Sequence, residues 1–583
     1  MKRIELLRRQ GLLGDLDVHF ARLIAEQGEP PPVILAAALL SQLASMGHVC
    51  LDLAALEGQA VLGDFVLPPL DELLAALREH PACGGADGYT PLVLDGTRLY
   101  MRRYFDYEVA VAKAWRVGDE QIALAAPLAL ELERLFPQDT EDRMRDQRAA
   151  AAYALTHRRV LISGGPGTGK TTTLASILAL LLEQHGSSAD ASPQQALRFE
   201  PDPAPLKILL AAPTGKAAAR MQDAIRGAKS RLPLSDAIKA AMPEIAQTLH
   251  RLLGARPQGG GMAWRHGPDD PLDCDVLVVD EASMIDLSMM ARLLSALPPH
   301  ARLILLGDRD QLASVEAGAV FADLCVLDAA TLNVSFRFGA DGGIGRLAAL
   351  VRTGNADGAL QLLREGGDEL RWLAEASRAA VVEHAATEYG GFVESIGALP
   401  LSAIFDRFAE FRLLTPMRKG PLGVTALNVE IEKRLIARNV IPPRSRWYVG
   451  RPVMIAANDY GLRLFNGDVG ICIHDPASGE LRVAFPAEDA EASKVRLIAP
   501  ARLPAHETAW AMTVHKSQGS EFDRISLVLP DDASELVTRE LLYTAVTRAR
   551  RSVTLHAVAE ILRLACAKRI ARHSGLVARL QNG

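Results

Sequence analysis

The sequence predicts an α/β fold in which parallel sheets are covered by helices, with a mainly helical region in front of them. Three observations predict it. From about residue 145, short apolar runs alternate with helical stretches, the pattern of strands joined by crossover helices. Those runs end in Gly, Pro, Thr or acidic residues, which puts polar groups at the carboxyl ends of the strands, where open α/β sheets bind ligands. The 583 residues also exceed what one core serves, and at about 150 residues per unit they call for roughly four units.

The first unit, residues 1–115, is rich in Leu and Ala. Leu12, Leu16, Phe20, Leu23 and Ile24 fall at the spacing of an amphipathic helix face. Leu92 to Leu94, an Asp95-Gly96 turn and Leu99-Tyr100 predict a hairpin. With no titratable cluster, this unit reads as a packing or docking module. The second unit, 116–331, holds four strand runs: Val160 to Ile162, Ile208 to Leu210, Val276 to Val279 and Leu303 to Leu306. Gly186 to Pro205 reads as a surface excursion, and Pro257 to Pro271, around Gly259-Gly260-Gly261, as a hairpin or a flexible loop. The third unit, 332–583, has runs at Phe411 to Leu414, Ile525 to Leu529 and Val553 to Leu555. Short strand-like pieces between about 440 and 505, such as Pro452 to Ile455 and Val469 to Cys472, predict a small β insertion.

Composition narrows the function. With 49% hydrophobic and 23% charged residues the chain is globular rather than disordered. Sixty-four Lys and Arg against 70 Asp and Glu, a net of −6, exclude a protein that coats polyanions, so any nucleic-acid contact is a local groove. Cys50, Cys83, Cys274, Cys325, Cys472 and Cys566 form no C-x-x-C pair, which argues against a disulfide framework or zinc site and for a reducing compartment. The longest early apolar run, Val33 to Leu40, is far short of the roughly 18 residues of a membrane span. A soluble, cytoplasmic protein with no membrane contact is expected.

Gly164, Gly165, Pro166, Gly167, Thr168, Gly169, Lys170 and Thr171 match G-x-x-x-x-G-K-[ST] directly after a strand run, and Leu174, Ile177, Leu178 and Leu181 share a helix face behind it. Such a loop closes backbone N–H groups around phosphate oxygens at a helix N-terminus. The lysine reaches the β and γ phosphates and the threonine ligates Mg²⁺. ATP and Mg²⁺ are therefore the expected cofactors, with Thr172 completing the loop. Val276 to Val279 end in Asp280 and Glu281. Asp280 is placed to hold Mg²⁺, and Glu281 to orient and deprotonate water. Adjacent acids at a strand end suit a water nucleophile, so hydrolysis is favoured over transfer. Gln311, after the run Leu303 to Leu306, can bond the γ phosphate or the water.

Gln147, GGPGTGKT, AAPTGKAA (Ala211 to Ala218), TLHRLLG (Thr248 to Gly254), VVDEASM, GDRDQL, Ser335-Phe336-Arg337, TVHKSQGSEFD (Thr513 to Asp523) and LYTAVTRAR (Leu542 to Arg550) together resemble the ordered motifs of superfamily-one DNA helicases. Within that group the chain resembles the RecD family, the alpha subunits of exodeoxyribonuclease V. That likeness draws on Leu16 to Ala21, Asn458-Asp459-Tyr460, Leu464 to Asp468 and Ser574-Gly575-Leu576.

The resemblance implies two RecA-like P-loop domains with ATP between them and a small SH3-like insertion in the second. It implies 5′-to-3′ movement on single-stranded DNA, action at double-stranded ends in break repair and recombination, and RecB-like and RecC-like partners. Association with the nucleoid would follow from the DNA. It also implies that Gln147 reads the adenine edge, that Gly519 and Glu521 approach ribose and phosphates, and that Arg337 and Arg548 act as arginine fingers. Thr214, His250, Thr513 and His515 would touch DNA.

Other readings are an ATP-idle regulatory subunit, a nuclease in its own right and a stand-alone relative without partners. The idle reading is opposed by the full set of ATP motifs, and the nuclease reading by the lack of a second carboxylate cluster. The stand-alone reading is opposed by the roughly 140 residues before the motor, since stand-alone relatives carry a longer extension. The tract Pro257 to Pro271 is the candidate for a strand-splitting pin, with Trp264 the residue whose substitution would test it.

Overall fold

The computed structural model describes residues 2–26, 31–63, 65–118, 121–122, 128–137, 144–190, 205–258, 261–338, 342–374, 377–443, 445–459, 461–486 and 495–582. Gly259 and Gly260, Tyr460 and most of the expected excursion before Pro205 lie outside the described residues.

The first unit packs the helices Asp15–Ala25 and Pro31–Ser45 against a four-stranded sheet in the order Cys50–Asp52, Arg98–Met101, Leu92–Asp95, Cys83–Gly84. The expected hairpin is present, with Leu94 opposite Leu99. The expected helix face is met in part: Ile24 is buried and Leu12 and Phe20 pack half-buried against the same core. Leu16 and Leu23 are 68% and 50% exposed, while Val18, Ala21 and Ile24 are buried. Asp17 shares the buried side with Val18, Ala21 and Ile24, and its carboxylate accepts from the Gly14 N–H at 2.9 Å and the Ser41 hydroxyl at 2.7 Å. A buried carboxylate needs such donors.

The second unit is a six-stranded parallel sheet in the order Ala330–Leu332, Arg159–Gly164, Arg302–Gly307, Val276–Val279, Ile208–Ala212, Ala246–Thr248. Every residue of its two central strands is buried, as expected when both faces carry helices. One face packs Arg145–Thr156, Lys170–Asp190 and Gly215–Arg231. The other packs Leu287–Ala296 and the helix Arg102–Val117. Arg102–Val117 also joins the first unit's sheet, since Phe105, Val111 and Trp115 share one core with Val93, Tyr100 and Leu277. At about 1.5–3 kcal/mol per fully buried large apolar side chain, that shared core fixes the first unit to the second.

The third unit is a five-stranded parallel sheet in the order Leu370–Leu373, Ala549–His556, Phe522–Val528, Phe411–Thr415, Ala511–Thr513. Between Phe411–Thr415 and Ala511–Thr513 in sequence sits the insertion, a five-stranded antiparallel sheet ordered Val495–Ile498, Leu481–Pro486, Val469–His474, Pro452–Ile455, His506–Thr508. The glycine tract forms a real hairpin, Arg256–Gln258 paired with Gly261–Ala263. The helix Leu576–Asn582 leaves the third unit and packs on Arg102–Val117. All six cysteines are buried and free.

Candidate active site

The carboxyl end of one parallel sheet, the second unit's, meets the other sheet at the amino ends of the strands Phe522–Val528 and Ala549–His556, just before which Glu521 and Arg548 stand. From the first, the strand Arg159–Gly164 runs into the glycine loop, and the helix Lys170–Asp190 begins at once. Gly167 and Gly169 have φ of +79° and +82°, a region side chains rarely adopt. A Cβ at Gly167 would stand 2.3 Å from the Arg337 Cβ, and one at Gly169 2.3 Å from the Gln147 side-chain nitrogen. Both glycines are therefore required by backbone shape and by neighbours. Buried Gln147 donates to the Thr168 carbonyl at 3.1 Å, clamping the loop from the side. The Lys170 ammonium donates to the carbonyls of Gly164 and Gly165, at 2.5 and 3.1 Å. Thr171 and Thr172 begin the first helical turn beside it.

Two strands away, Val279 leads into Asp280 and Glu281. Glu281 has φ +52°, which for a non-glycine residue costs on the order of 1–3 kcal/mol. It is held there because its N–H donates to Asp280 Oδ1 at 2.8 Å and the short helix Ala282–Met284 starts immediately after. Burial, and then the Glu281 charge, push the Asp280 carboxyl up to about 6 against the pull of Lys170. The Ser283 hydroxyl beside them is buried without a hydrogen-bond partner.

The strand Arg302–Gly307 delivers Asp308 and Gln311. Gln311 donates to Asp308 Oδ2 at 3.0 Å, and its carbonyl accepts from Arg548 at 2.9 Å. Tyr543 also donates to Asp308 Oδ2, at 3.1 Å, and the Leu312 N–H donates to Thr544 at 2.9 Å. Tyr543, Thr544 and Arg548 come from the third unit, on and just after the helix Arg539–Val546, so this network spans the seam between the sheets. Burial lowers the Arg548 pKa and raises that of Asp308.

A second crossing lies at Glu521. Its carboxylate receives Arg337 at 2.6 Å, Arg550 at 3.2 Å, and Arg220 of the second unit. Burial would raise its pKa, but Arg220 and Arg337 outweigh that and hold it at about 2. Arg220 also donates to the Gly519 carbonyl at 3.1 Å. The segment carrying Arg337 lies on the glycine loop, with the Phe336 N–H donating to the Gly167 carbonyl at 2.8 Å and Ser335 to the Pro166 carbonyl at 3.2 Å.

The structure thus brings together Gln147, the loop 164–172, Asp280, Glu281, Gln311, Arg337, Gly519, Glu521 and Arg548. Of the four candidate DNA residues, Thr214 caps the helix Gly215–Arg231 by accepting from the Ala217 N–H. Its hydroxyl faces Gly519, where a Cβ would stand 3.6 Å away. Thr513 and His515 flank the end of the strand Ala511–Thr513, and burial lowers the His515 pKa. His250 belongs to a different cluster, its ring 5.6 Å from Trp264, which in turn carries Arg292 at 5.0 Å. Trp264 follows the second hairpin strand and packs, partly buried, on the core.

Sequence reasoning missed Arg220, Asp308, Tyr543 and Thr544. The last three stand inside motifs already noted, GDRDQL and LYTAVTRAR; their spacing carries no hint that they meet each other. Arg220 follows AAPTGKAA by two residues, on the helix face that the Thr214 cap directs to the seam.

Comparison with known proteins agrees with this architecture. Residues 9–100 match the N-terminal domain of the RecBCD enzyme subunit RecD, 147–317 an AAA domain, and 508–556 a UvrD-like helicase C-terminal domain. The chain is 40% identical to the RecBCD enzyme subunit RecD of Mycolicibacterium smegmatis over 98% of both chains. It is 32% identical to the ATP-dependent RecD2 DNA helicase of Deinococcus radiodurans, over 76% of this chain and 53% of that one. Among solved structures, Bacteroides Pif1 bound to ssDNA shares 18% identity at a TM-score of 0.37, covering 71% of this chain and 93% of that one. Full-length identity at this level places the chain in the RecD family of DNA helicases, the family of RecBCD enzyme subunits.

Proposed function

We propose that the chain is an ATP-driven, 5′-to-3′ single-stranded DNA translocase, working as the RecD subunit with RecB-like and RecC-like partners on double-stranded DNA ends in break repair and homologous recombination. Cytoplasmic location, at the nucleoid, goes with that reading. Family membership supports the polarity and partners. The observation that carries the motor reading is the pair of seam networks, Arg548 with Gln311 and Glu521 with Arg337 and Arg220. Each joins the two sheets beside the phosphate loop, so any change at the loop is felt across the seam.

The backbone N–H groups of the loop and the Lys170 ammonium hold the β and γ phosphates, and Gln147 lies against the same loop for the base. Asp280 and Thr171 fit a divalent cation. Asp280 is a carboxylate raised by burial and a like charge, which a cation relieves, and the partnerless Ser283 hydroxyl beside it leaves a donor to spare. Mg²⁺ bound there neutralises charge on the phosphate oxygens. Glu281 accepts the proton of the attacking water. Arg548 and Arg337 turn from Gln311 and Glu521 toward the developing charge, for which a planar guanidinium is suited. Their release from those partners is what opens or closes the seam, and with it the grip of Thr214 and Thr513 on the DNA backbone. Hydroxyl contacts to phosphate read no sequence, as a motor on arbitrary DNA requires.

Lys170→Gln tests this: DNA-stimulated ATP hydrolysis is expected to vanish with fold and assembly intact. Normal turnover in that variant would overturn the reading. Co-purification from the native cell tests the partners; a lone, fully processive monomer would remove them.

A further inference from the structure

The eight residues 568–575, between the helices Ala559–Ala567 and Leu576–Asn582, form a strap laid across three units. At one end the strap is tied to the third unit. The Arg539 N–H donates to the Lys568 carbonyl at 2.8 Å and the Ile570 N–H donates to Glu540 at 3.0 Å. Arg539 and Glu540 open the helix that carries Tyr543 and Thr544 to the seam.

At Arg572 the strap enters the second unit. One guanidinium donates to three backbone carbonyls of a single loop, Ser314 at 2.5 Å, Glu316 at 2.8 Å and Gly318 at 2.7 Å. That loop begins two residues after Leu312, whose N–H is bonded to Thr544 and whose carbonyl accepts from Gln518 at 2.7 Å. Three converging carbonyls with no carboxylate among them repel one another unless a multidentate donor sits between, and a guanidinium supplies that fork.

The next residues fix the strap to the first unit. His573 stacks on His48 at 4.8 Å, its N–H donates to that ring at 3.0 Å, and its carbonyl accepts from the Val49 N–H at 2.9 Å. Ser574 and the Gly575 N–H donate to Glu108, at 3.1 and 3.0 Å, and Arg579 adds a bond at 2.8 Å. Glu108 is fully buried, so its charge makes this a fixed anchor. A Cβ at Gly575 would stand 2.3 Å from the Tyr100 hydroxyl, which accounts for the glycine in Ser574-Gly575-Leu576.

We propose that Arg572 is a positioning residue for ATP hydrolysis: by holding the loop 314–318 it sets Gln311 and Leu312 against Arg548 and Thr544, and it transmits the position of the first unit to the seam. This rests on the motor reading above. It places the control of Gln311 geometry outside every motif of the ATP site.

The test uses the protein with whatever partners it purifies with. For Arg572→Ala, kcat of ATP hydrolysis stimulated by poly(dT) is expected to fall about tenfold, with KM for ATP and ADP affinity within about twofold of wild type. Amide exchange across 312–318 should rise. Arg572→Lys, which keeps the charge and donors without the fork, should recover part of the rate. His573→Ala, which leaves Arg572 in place, should cost less than Arg572→Ala and controls for general loosening of the strap. Unchanged kcat in Arg572→Ala, or a loss matched by an equal loss of ADP-binding sites, overturns the proposal. If wild type itself shows no DNA-stimulated hydrolysis, the motor reading is what fails; protection of 312–318 by Arg572 is then still measured by exchange.

Discussion

On one wall of the cleft, Gly164 to Lys170 present a loop whose shape is set by two glycines at positive φ and by Gln147 against its side. On the other, Arg337 and Arg548 are single side chains, each already bonded to a polar group, Glu521 or Gln311. The first wall is built by backbone and is ready before any ligand arrives. The second is built by side chains that must change partners to act. A wall made of backbone presents its binding groups in a set shape; a wall made of exchangeable side-chain contacts makes chemistry depend on where both halves stand. That division suits a machine that binds its fuel in one state and consumes it in another.

The largest expected effect separates the walls directly. Arg548→Ala should lower kcat of DNA-stimulated ATP hydrolysis by about 10³-fold while leaving nucleotide affinity nearly unchanged, the range of an arginine finger. Arg548→Lys should recover little, because an ammonium lacks the planar fork that suits the charge spread over the phosphate oxygens. Nucleotide titration beside steady-state turnover reads both quantities. A parallel loss of affinity and kcat would mean that the second wall is also needed for binding, and the contrast would collapse.

Next is the converse change on the first wall. Gly169→Ala puts a methyl 2.3 Å from Gln147 in a backbone conformation side chains avoid. Nucleotide binding should weaken by about 10²-fold, since loop and neighbour must both shift. Adding Gln147→Ala removes the clash and leaves the backbone strain, so partial recovery of affinity is expected. No recovery would assign the whole defect to φ.

Glu521 gives a smaller effect with a pH signature. Its folded pKa of about 2 lies below the ordinary carboxylate value. The stability it contributes is therefore present above about pH 4.5 and fades as pH falls toward 2. Arg220 and Arg550 are 40% and 53% exposed, so solvent screens part of the pairing and about 2 kcal/mol is the expected scale. Glu521→Gln should be destabilised by that amount at pH 7 in denaturant unfolding, and the gap from wild type should close on acidification below pH 4. A gap independent of pH would show that packing, not charge, holds this crossing.

The two walls also differ in how far the sequence betrays them. The glycine loop, Asp280 and Glu281 are contiguous and follow apolar runs, so strand, turn and chemistry are read together. Arg337 and Arg548 are identifiable only through resemblance, because an isolated Arg carries no pattern. The contacts around them join Tyr543 to Asp308, 235 positions apart, and Arg220 to Glu521, 301 positions apart, and nothing local encodes such meetings. The Glu281 backbone at φ +52° was equally hidden, since Glu has no preference for that region. Arg572 is hidden for a different reason: its partners are carbonyls, which every residue has. Asp17 shows the opposite hazard. Leu16 and Leu23 fit the same helical spacing as Ile24, yet they are exposed while Asp17, satisfied by two donors, is buried beside Val18 and Ala21. Apolar spacing marks a helix; it does not alone say which residues of the face are covered.

The smallest expected effect concerns a cluster outside both walls. His250, Trp264 and Arg292 stack in series, and Trp264 is partly buried against the core of the second unit. A splitting pin must project into the fork and should leave ATP hydrolysis alone when removed. A supporting residue should lower hydrolysis and unwinding by the same factor, because it acts through the packing of the second unit on which both depend. The packing predicts the second outcome: Trp264→Ala should reduce each by about threefold, with base pairs opened per ATP unchanged, a cost in line with losing one aromatic and cation–π contact of about 1 kcal/mol. The ratio is the deciding measurement, since it cancels any loss of folded protein. A fall in base pairs opened per ATP would restore the hairpin residue as the wedge.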